Sequence, residues 1–395
     1  MYCIHIDCNS YFASCEIATR PELKGRPVVV ANTNEHGGGV ILALDTTAKK
    51  LGLKRGMPLF KVRDLLQEND VAICPADHKK YRRISRQIMQ EVVNQGVVQD
   101  FVQYSIDEFF GTLPLDDPDR VAHHVRNVKQ LIADTSGIPV GCGCAATYTL
   151  AKCATWFAKH YAGYNGVCVM PPTKRERALA VMPIGEVWGV GRQLRPRLER
   201  MGVSTALDFA QLPRQVVEKT FTSAGLHTYL ELQGTPAVTL ENRERRKSIM
   251  QSRTFEVMIK ERDELSRKVA HFAARCAASL RHEKSLCRSV TVFVATNRYR
   301  NDLAQYANDA TAKLPSPTAD SPTIIHTAEA LLDTLFRPGY QYKRAGVVLG
   351  NIVADAGQQL DLFDHDRNER RRKLMSVTDM LNDRFGDETV TFGGS

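Results

Sequence analysis

The sequence predicts a multidomain α+β protein. Three observations carry that reading: strand-length and helix-length apolar patterns alternate over the first 167 residues, the texture then changes to short helices punctuated by glycine, and residues 249–354 read strand, long helix, strand, strand, helix, strand. The last order is a split β-α-β unit. At 395 residues the chain exceeds what one hydrophobic core usually supports, so two to four compact units are expected.

Residues 2 to 7 form a short apolar strand ending in Asp7, and a helix opens at once over Asn9 to Ile17. Strands follow at Pro27 to Ala31 and Val40 to Leu44, then a helix from Thr46 to Leu51 that Gly52 stops; residues 23–77 thus make a small α/β unit. Lys79 to Asn94 has helical spacing, Val97 to Ser105 and Phe109 to Leu113 read as strands, and Asp107 and Glu108 lie between them. After a helix at Pro118 to Thr135 come a buried strand, Pro139 to Ala145, and a helix, Thr149 to Lys159; the alternation predicts a sheet with helices on one face. A small helical region is expected at 168–238, a basic linker at 239–248, and the split unit at 249–354 with helices at Asp263 to Glu283 and Thr323 to Phe336. The tail, 355–395, is polar apart from Leu360 to Phe363 and one helix at Leu374 to Arg384.

Composition is that of an ordinary folded chain, 43% hydrophobic and 25% charged, which excludes disordered and fibrous classes. Lys and Arg outnumber Asp and Glu by 53 to 44, a formal charge of +9, and this favours a polyanionic partner, the plain alternative being ordinary surface solvation. The ten cysteines contain no C-x-x-C pair and lie mostly inside apolar patterns, which suits buried thiols in a reducing compartment better than a zinc site or a disulfide framework. No basic stretch leads into a signal-length apolar run, and no window approaches 18 apolar residues, so the expected location is the cytoplasm, away from membrane.

Adjacent strand residues point to opposite faces, so Asp107 and Glu108 can share a site only where the chain bends, and their place between two strands supplies the bend. With Asp7 at the end of a neighbouring strand, three carboxylates would meet at one sheet edge, where mutual repulsion raises their pKa values unless cations are bound. Hard oxygen ligands without a His or Cys cluster favour magnesium. Two such ions about 3.5 to 4 Å apart permit in-line phosphoryl transfer. An isolated Asp-Glu pair in a turn is more often solvated or a helix cap, so the surrounding sequence has to decide.

Asp7-Cys-Asn-Ser-Tyr-Phe-Ala-Ser-Cys-Glu16, then Lys24-Gly-Arg-Pro-Val-Val-Val30, then Tyr104-Ser-Ile-Asp-Glu-Phe109 closely resemble the Y-family DNA polymerases, in particular the UmuC branch that supplies the catalytic subunit of bacterial DNA polymerase V. The resemblance runs over essentially the whole chain, with Gly141 to Lys159 similar to the second palm segment, Val187 to Arg192 to the thumb hairpin and Ser252 to Phe255 to the start of the little finger. It implies a right-hand polymerase with a palm at 1–22 and 78–167, small fingers at 23–77, a helical thumb at 168–238 and a βαββαβ little finger at 249–354. It implies template-directed, error-prone translesion synthesis as part of an SOS-type damage response, with two Mg2+ ions held by Asp7, Asp107, Glu108 and the backbone carbonyl of Cys8. By position, Phe12 matches the steric gate that collides with a ribose 2′-hydroxyl. Tyr11, Thr46, Lys49 and Lys159 match nucleotide-binding positions, Thr46 standing where many relatives have tyrosine.

Primer-template DNA and an incoming dNTP are the implied partners. Gly189 and Gly191 in the Trp188-Gly-Val-Gly191 turn, followed by Arg192, suit backbone contact with phosphates, and Arg243, Arg245, Arg246 and Lys247 in the linker suit salt-sensitive affinity without sequence preference. Gln359-Leu-Asp-Leu-Phe363 resembles the peptide with which bacterial polymerases grip a sliding clamp, with Leu360, Leu362 and Phe363 as its apolar residues. A UmuD-like subunit and a RecA filament are further partners implied by the resemblance. Two rivals stay open: a DNA-binding or clamp-binding subunit without turnover, and a two-metal nucleotidyl cyclase on a similar palm, which would act without primer or template.

Overall fold

The computed structural model describes residues 1–33, 38–240, 246–355, 365–386 and 389–392, with backbone alone over 365–369. The chain divides into two compact units, Met1–Asn242 and Arg243–Ser395, the division falling inside the basic stretch 239–248.

The first unit is built on a five-stranded sheet. Its elements in order are β1 (Tyr2–Cys8), α1 (Tyr11–Thr19), β2 (Val28–Thr33), β3 (Gly39–Leu44), α2 (Thr46–Lys50), α3 (Arg63–Glu68), β4 (Ala72–Pro75), α4 (His78–Asn94), β5 (Gln99–Gln103), β6 (Glu108–Leu113), α5 (Pro118–Ser136), β7 (Val140–Ala145), α6 (Tyr148–His160) and β8 (Val167–Val169). The sheet order is β5-β6-β1-β7-β8, so β1 is central, antiparallel to both β6 and β7. Its even residues, among them Ile4 and Ile6, pack with Ile84 and Ile88 of α4 and Val125, Val128 and Ile132 of α5, while odd His5 meets Thr155 of α6 on the other face. Helices therefore cover both faces, not the single face that the alternation predicted, and all six residues of β7 are buried. The covering of the second face has a local cause in Gly143. A Cβ there would lie 2.2 Å from the Thr155 amide nitrogen and 2.3 Å from the Ala151 carbonyl, so the small residues of β7 are what lets α6 lie against the sheet.

Residues 23–77 form their own layer, a three-stranded sheet of order β3-β2-β4 in which β2 pairs antiparallel with β3 and parallel with β4. Its core is Val29, Ala31, Ile41, Leu44, Ala48, Leu53, Leu59, Leu66 and Val71. Asp45 caps α2, accepting from the amides of Thr47 and Ala48 and also from Val28 of β2, so one carboxylate fixes both helix and strand. Fully buried Glu16 of α1 is satisfied by Tyr81 Oη and Lys80 Nζ of α4, each at 2.6 Å, which ties α1 to α4.

Five short helices complete the first unit: α7 (Arg175–Val181), α8 (Leu194–Arg200), α9 (Ala206–Ala210), α10 (Arg214–Thr220) and α11 (Ser223–Leu232). They share a core with α6, in which Leu150, Cys153 and Phe157 pack with Leu179, Phe209, Tyr229 and Leu232. Buried Glu231 joins the two parts. Its carboxylate accepts from the Thr149 amide at 2.8 Å and from Ala237 and Val238 at 2.9 and 3.1 Å, and its carbonyl accepts from Thr147 Oγ1.

The second unit has the expected β-α-β-β-α-β order: β9 (Ser248–Ile259), α12 (Arg262–His282), β10 (Ser285–Thr296), β11 (Ala307–Thr318), α13 (Ser321–Leu335), β12 (Tyr342–Gly350), then a two-residue β13 (Val353–Ala354). The sheet order is β11-β10-β12-β9, and both helices bury one face of it through Leu265, Val269, Cys276, Ile324, Ala328 and Leu332. The tail helix α14 (His365–Phe385) starts nine residues before the expected Leu374. Its apolar spacing begins only near Leu374, whereas the turns before it are made of polar residues that favour helix without marking a face. It docks through buried Met375 and through Arg281, which donates to both carboxylate oxygens of Asp379 at 2.7 Å.

Candidate active site

Strand pairing brings Asp7 directly opposite Glu108 across β1 and β6. Glu108 is thus the first residue of β6 and not part of the bend; only Asp107 sits in the turn before it. The odd residues of β1 share a face, so His5 joins the two carboxylates: one donor atom each from His5, Asp7 and Glu108 lie within 4.8 Å of one another. Asp107 reaches the cluster by its backbone, its carbonyl accepting from the Cys8 amide at 2.9 Å, while its carboxylate accepts from Ser105 Oγ. Its carboxylate is not among the three groups that converge.

Repulsion among the acids does not raise the pKa of Glu108. Burial alone would, but contact with His5 and a 2.8 Å hydrogen bond from Lys152 outweigh it and hold the carboxyl at about 2. Lys159 makes the corresponding ion pair with Asp7. Lys152 and Lys159 lie seven residues apart on one face of α6, so that helix supplies both positive charges. Lys152 is the functional-looking residue that sequence reasoning missed, and the i, i+7 spacing from Lys159 was the signal for it. Its ammonium also lies 5.3, 5.8 and 5.2 Å from the ring centres of Tyr104, Phe110 and Trp188.

The donor set fits divalent cations. Two carboxylates converge, each already paired with a cation, and no cysteine thiol competes: Cys8 is buried, and burial drives its thiol pKa well above the ordinary value. All ten cysteines are free, and burial pushes those of Cys142, Cys153 and Cys276 up to about 12, which leaves them poor nucleophiles.

Phe12 is half-buried, its ring stacked on Tyr81 at 4.4 Å and edge-on to His78 at 5.4 Å. The Tyr11 side chain is buried and its hydroxyl donates to the Tyr81 carbonyl at 2.7 Å, which leaves its backbone to meet a nucleotide. Exposed Lys49 reaches back to Ser10 Oγ at 2.9 Å, next to the end of β1, and Thr46 is exposed one helical turn before it. Gly189 adopts φ of +90°, a conformation that favours glycine, and Thr228 Oγ1 donates to the neighbouring Trp188 carbonyl at 3.3 Å. Gly191 and Arg192 are exposed, and Trp188 stacks on Phe110 at 5.5 Å, which fixes this turn against the strand that carries Glu108. In the second unit Arg246 pairs with Glu283 at 3.3 Å and Lys247 is exposed. Arg243, Arg245, Gln359, Leu360, Leu362 and Phe363 lie outside the described residues.

The impB/mucB/samB family model matches residues 6–156, and the model for that family's C-terminal domain matches residues 246–362. Protein ImpB of Salmonella typhimurium is 35% identical and protein UmuC of Salmonella typhimurium strain LT2 is 34% identical, in both cases over 98% of this chain and 92% of the relative. DNA polymerase IV of Desulfatibacillum aliphaticivorans is 29% identical over 98% of this chain and 95% of its own. Among solved structures, a chimera of the Y-family DNA polymerases Dbh and Dpo4 superposes with a TM-score of 0.71 at 24% identity, covering 90% of this chain and all of the chimera. An insertion ternary complex of Dbh DNA polymerase gives a TM-score of 0.58 at 22% identity, covering 90% of this chain and all of that one. These likenesses show a shared fold. Together with relatives that match nearly end to end, they establish that the chain belongs to the impB/mucB/samB family and is a metal-dependent, DNA-directed DNA polymerase of the error-prone, translesion Y-family.

Proposed function

We propose that Asp7, Glu108, Asp107 and the Cys8 carbonyl hold two magnesium ions at which a dNTP is joined to a primer terminus. The observation that supports it most is the direct opposition of Asp7 and Glu108 at one end of the sheet, with the Asp107 backbone bonded to Cys8 beside them. When bound, the ions supply the charge that activates the primer hydroxyl and stabilises the leaving pyrophosphate. The chain's own part is to position and neutralise. Lys159 and Lys49 contribute positive charge next to the end of β1, where a triphosphate would be held, and the ring of Phe12, braced by Tyr81, excludes a ribose 2′-hydroxyl.

In this assignment residues 1–22 and 78–167 are the palm, 23–77 the fingers, 168–238 the thumb and 249–354 the little finger. Primer-template DNA is met without sequence preference by the backbone of the turn at Gly189 and Gly191, by Arg192 and by the basic residues Arg243 to Lys247. Fingers of some 55 residues enclose little of the nascent pair, so shape checking is weak and damaged templates are tolerated. The protein works in the cytoplasm; among the described residues no helix is long and apolar enough to cross a membrane. The Gln359 to Phe363 peptide docks on a sliding clamp, and the likeness to UmuC supports a UmuD-like subunit and a RecA filament as further partners.

Primer extension by purified protein on a defined template with magnesium tests the assignment. Asp107→Ala should abolish nucleotide addition and spare DNA binding; undiminished extension would reject the metal site. Complete arrest of the wild type at an abasic site would reject bypass of that lesion. Clamp-stimulated synthesis should be lost with Leu362→Ala and Phe363→Ala together, and stimulation equal to wild type would remove the clamp peptide from the account. Activity in the absence of primer and template would favour the cyclase.

A further inference from the structure

The outer face of α4 carries four cations for which the polymerase assignment has no use. Lys79, Arg82, Arg83 and Arg86 are all exposed, and their i, i+3, i+4, i+7 spacing sets them in one stripe, while Tyr81, Ile84 and Ile88 hold the opposite face in the core. No acidic residue falls between Asp77 and Glu91. Asp77 caps the helix, its carboxylate accepting from the Lys80 amide at 3.0 Å, and that bond, with the charges of Lys80 and Arg83, holds its carboxyl below the usual range. Glu91 accepts from Gln95 at 3.1 Å, and Lys80 reaches buried Glu16. Among the described residues no carboxylate forms an ion pair with any of the four stripe cations. Exposed arginines of the short helices are instead neutralised within their own helix, Arg195 by Glu199 and Arg214 by Glu218, each at 2.7 Å. Repulsion between like charges at i, i+4 opposes the helix, and a bound polyanion relieves it.

Lys79, Arg82, Arg83, Arg86, Gln87 and Gln90 line an open hollow of about 430 Å3, and none of the six is aromatic or apolar. A protein partner needs an apolar centre to its interface, and a single strand is held by aromatic stacking as well as by charge. An arginine-rich stripe flanked by glutamines suits the phosphates of a duplex. At the helical rise the four cations span about 10 Å, the length of about three phosphates along one strand. The stripe also lies apart from the primer-template contacts. α4 covers the sheet face of Ile4 and Ile6, whereas His5, Phe110 and Trp188, which fixes the turn of Gly189 to Arg192, occupy the other. We propose that the outer face of α4 is a second surface for double-stranded DNA, indifferent to sequence, that engages a further duplex segment while the turn holds the primer-template. That the segment is a further one rests on the proposed role of that turn; that the stripe binds duplex does not.

Energy transfer between two labelled DNAs on the full chain tests the surface. With the protein saturated by a donor-labelled primed hairpin, an acceptor-labelled blunt duplex should bind and give transfer at low salt. Arg82→Gln, Arg83→Gln and Arg86→Gln together should weaken that second duplex at least about tenfold and reduce the slope of log affinity against log salt by about 2 to 3. The three side chains are exposed, so the variant should fold as wild type, and its extension of saturating primed hairpin should be unchanged. Arg192→Gln should do the reverse, weakening the hairpin and sparing the second duplex; a hairpin bound as in wild type would fault the turn, leaving the triple variant to judge the stripe. No transfer with wild type, or equal affinity in wild type and triple variant, would overturn the proposal. So would a triple variant that weakens the hairpin by the same factor, or displacement by single-stranded DNA or polyglutamate as effective as by unlabelled duplex.

Discussion

Asp7 faces Glu108 across the ladder between β1 and β6, and each is held by a lysine of the same helix, Lys159 for Asp7 and Lys152 for Glu108. The pairing holds the two carboxylates together before any substrate arrives, and Lys152 and His5 keep that of Glu108 well below the usual carboxylate range. Replacing Asp7 by Ala removes one wall of this arrangement without touching the strand's buried residues. Primer extension should fall by at least about 100-fold, the scale of losing a preorganised electrostatic contact. Fluorescence anisotropy should show little change in DNA affinity; extension within a few-fold of wild type would place the chemistry elsewhere.

Phe12 is stacked on Tyr81 and edge-on to His78, contacts that brace the ring proposed to exclude a ribose 2′-hydroxyl. Phe12→Ala should raise ribonucleotide incorporation relative to deoxynucleotide by about 10- to 100-fold, the range open to steric discrimination in a pocket. Single-nucleotide insertion kinetics with matched rNTP and dNTP measure the ratio. An unchanged ratio would leave the ring a packing residue.

Lys152 and Glu108 are both about four-fifths covered, with side-chain exposures of 19% and 20%. Lys152→Met keeps the aliphatic stem among Tyr104, Phe110 and Trp188 and deletes the charge, leaving a largely buried carboxylate unpaired. In EDTA the variant should lose about 2 to 3 kcal/mol of stability, somewhat below the full cost for a completely buried pair. Millimolar Mg2+ should recover part of it. Thermal melts with and without the ion decide; a variant as stable as wild type in EDTA would show that the ion pair contributes nothing.

Glu231 joins the helical part of the first unit to α6 and to the loop that follows α11 by accepting three backbone hydrogen bonds, from Thr149, Ala237 and Val238. Glu231→Gln retains the shape but cannot accept at both side-chain termini. About 2 kcal/mol should be lost, as for a charged acceptor in a buried network. Limited proteolysis should then open residues 168–238 first. Urea unfolding checks the energy, and a midpoint equal to wild type would refute it.

What the sequence by itself determined is the local part: Asp7 near the end of β1, Asp107 in the turn before β6, and the alternating strands and helices of 249–354, because each is written in apolar spacing and turn residues within one or two elements. The tertiary structure alone decided how those pieces meet. Glu108 went to His5 and Lys152 while Asp107 went to Ser105, helices came to lie on both faces of the first sheet, and Trp188 stacked on Phe110. His5 and Thr155 are 150 residues apart, as the chain counts them. Periodicity records which face of an element is apolar; it carries no information on which distant element will cover that face, and the charges of this site are settled by that covering.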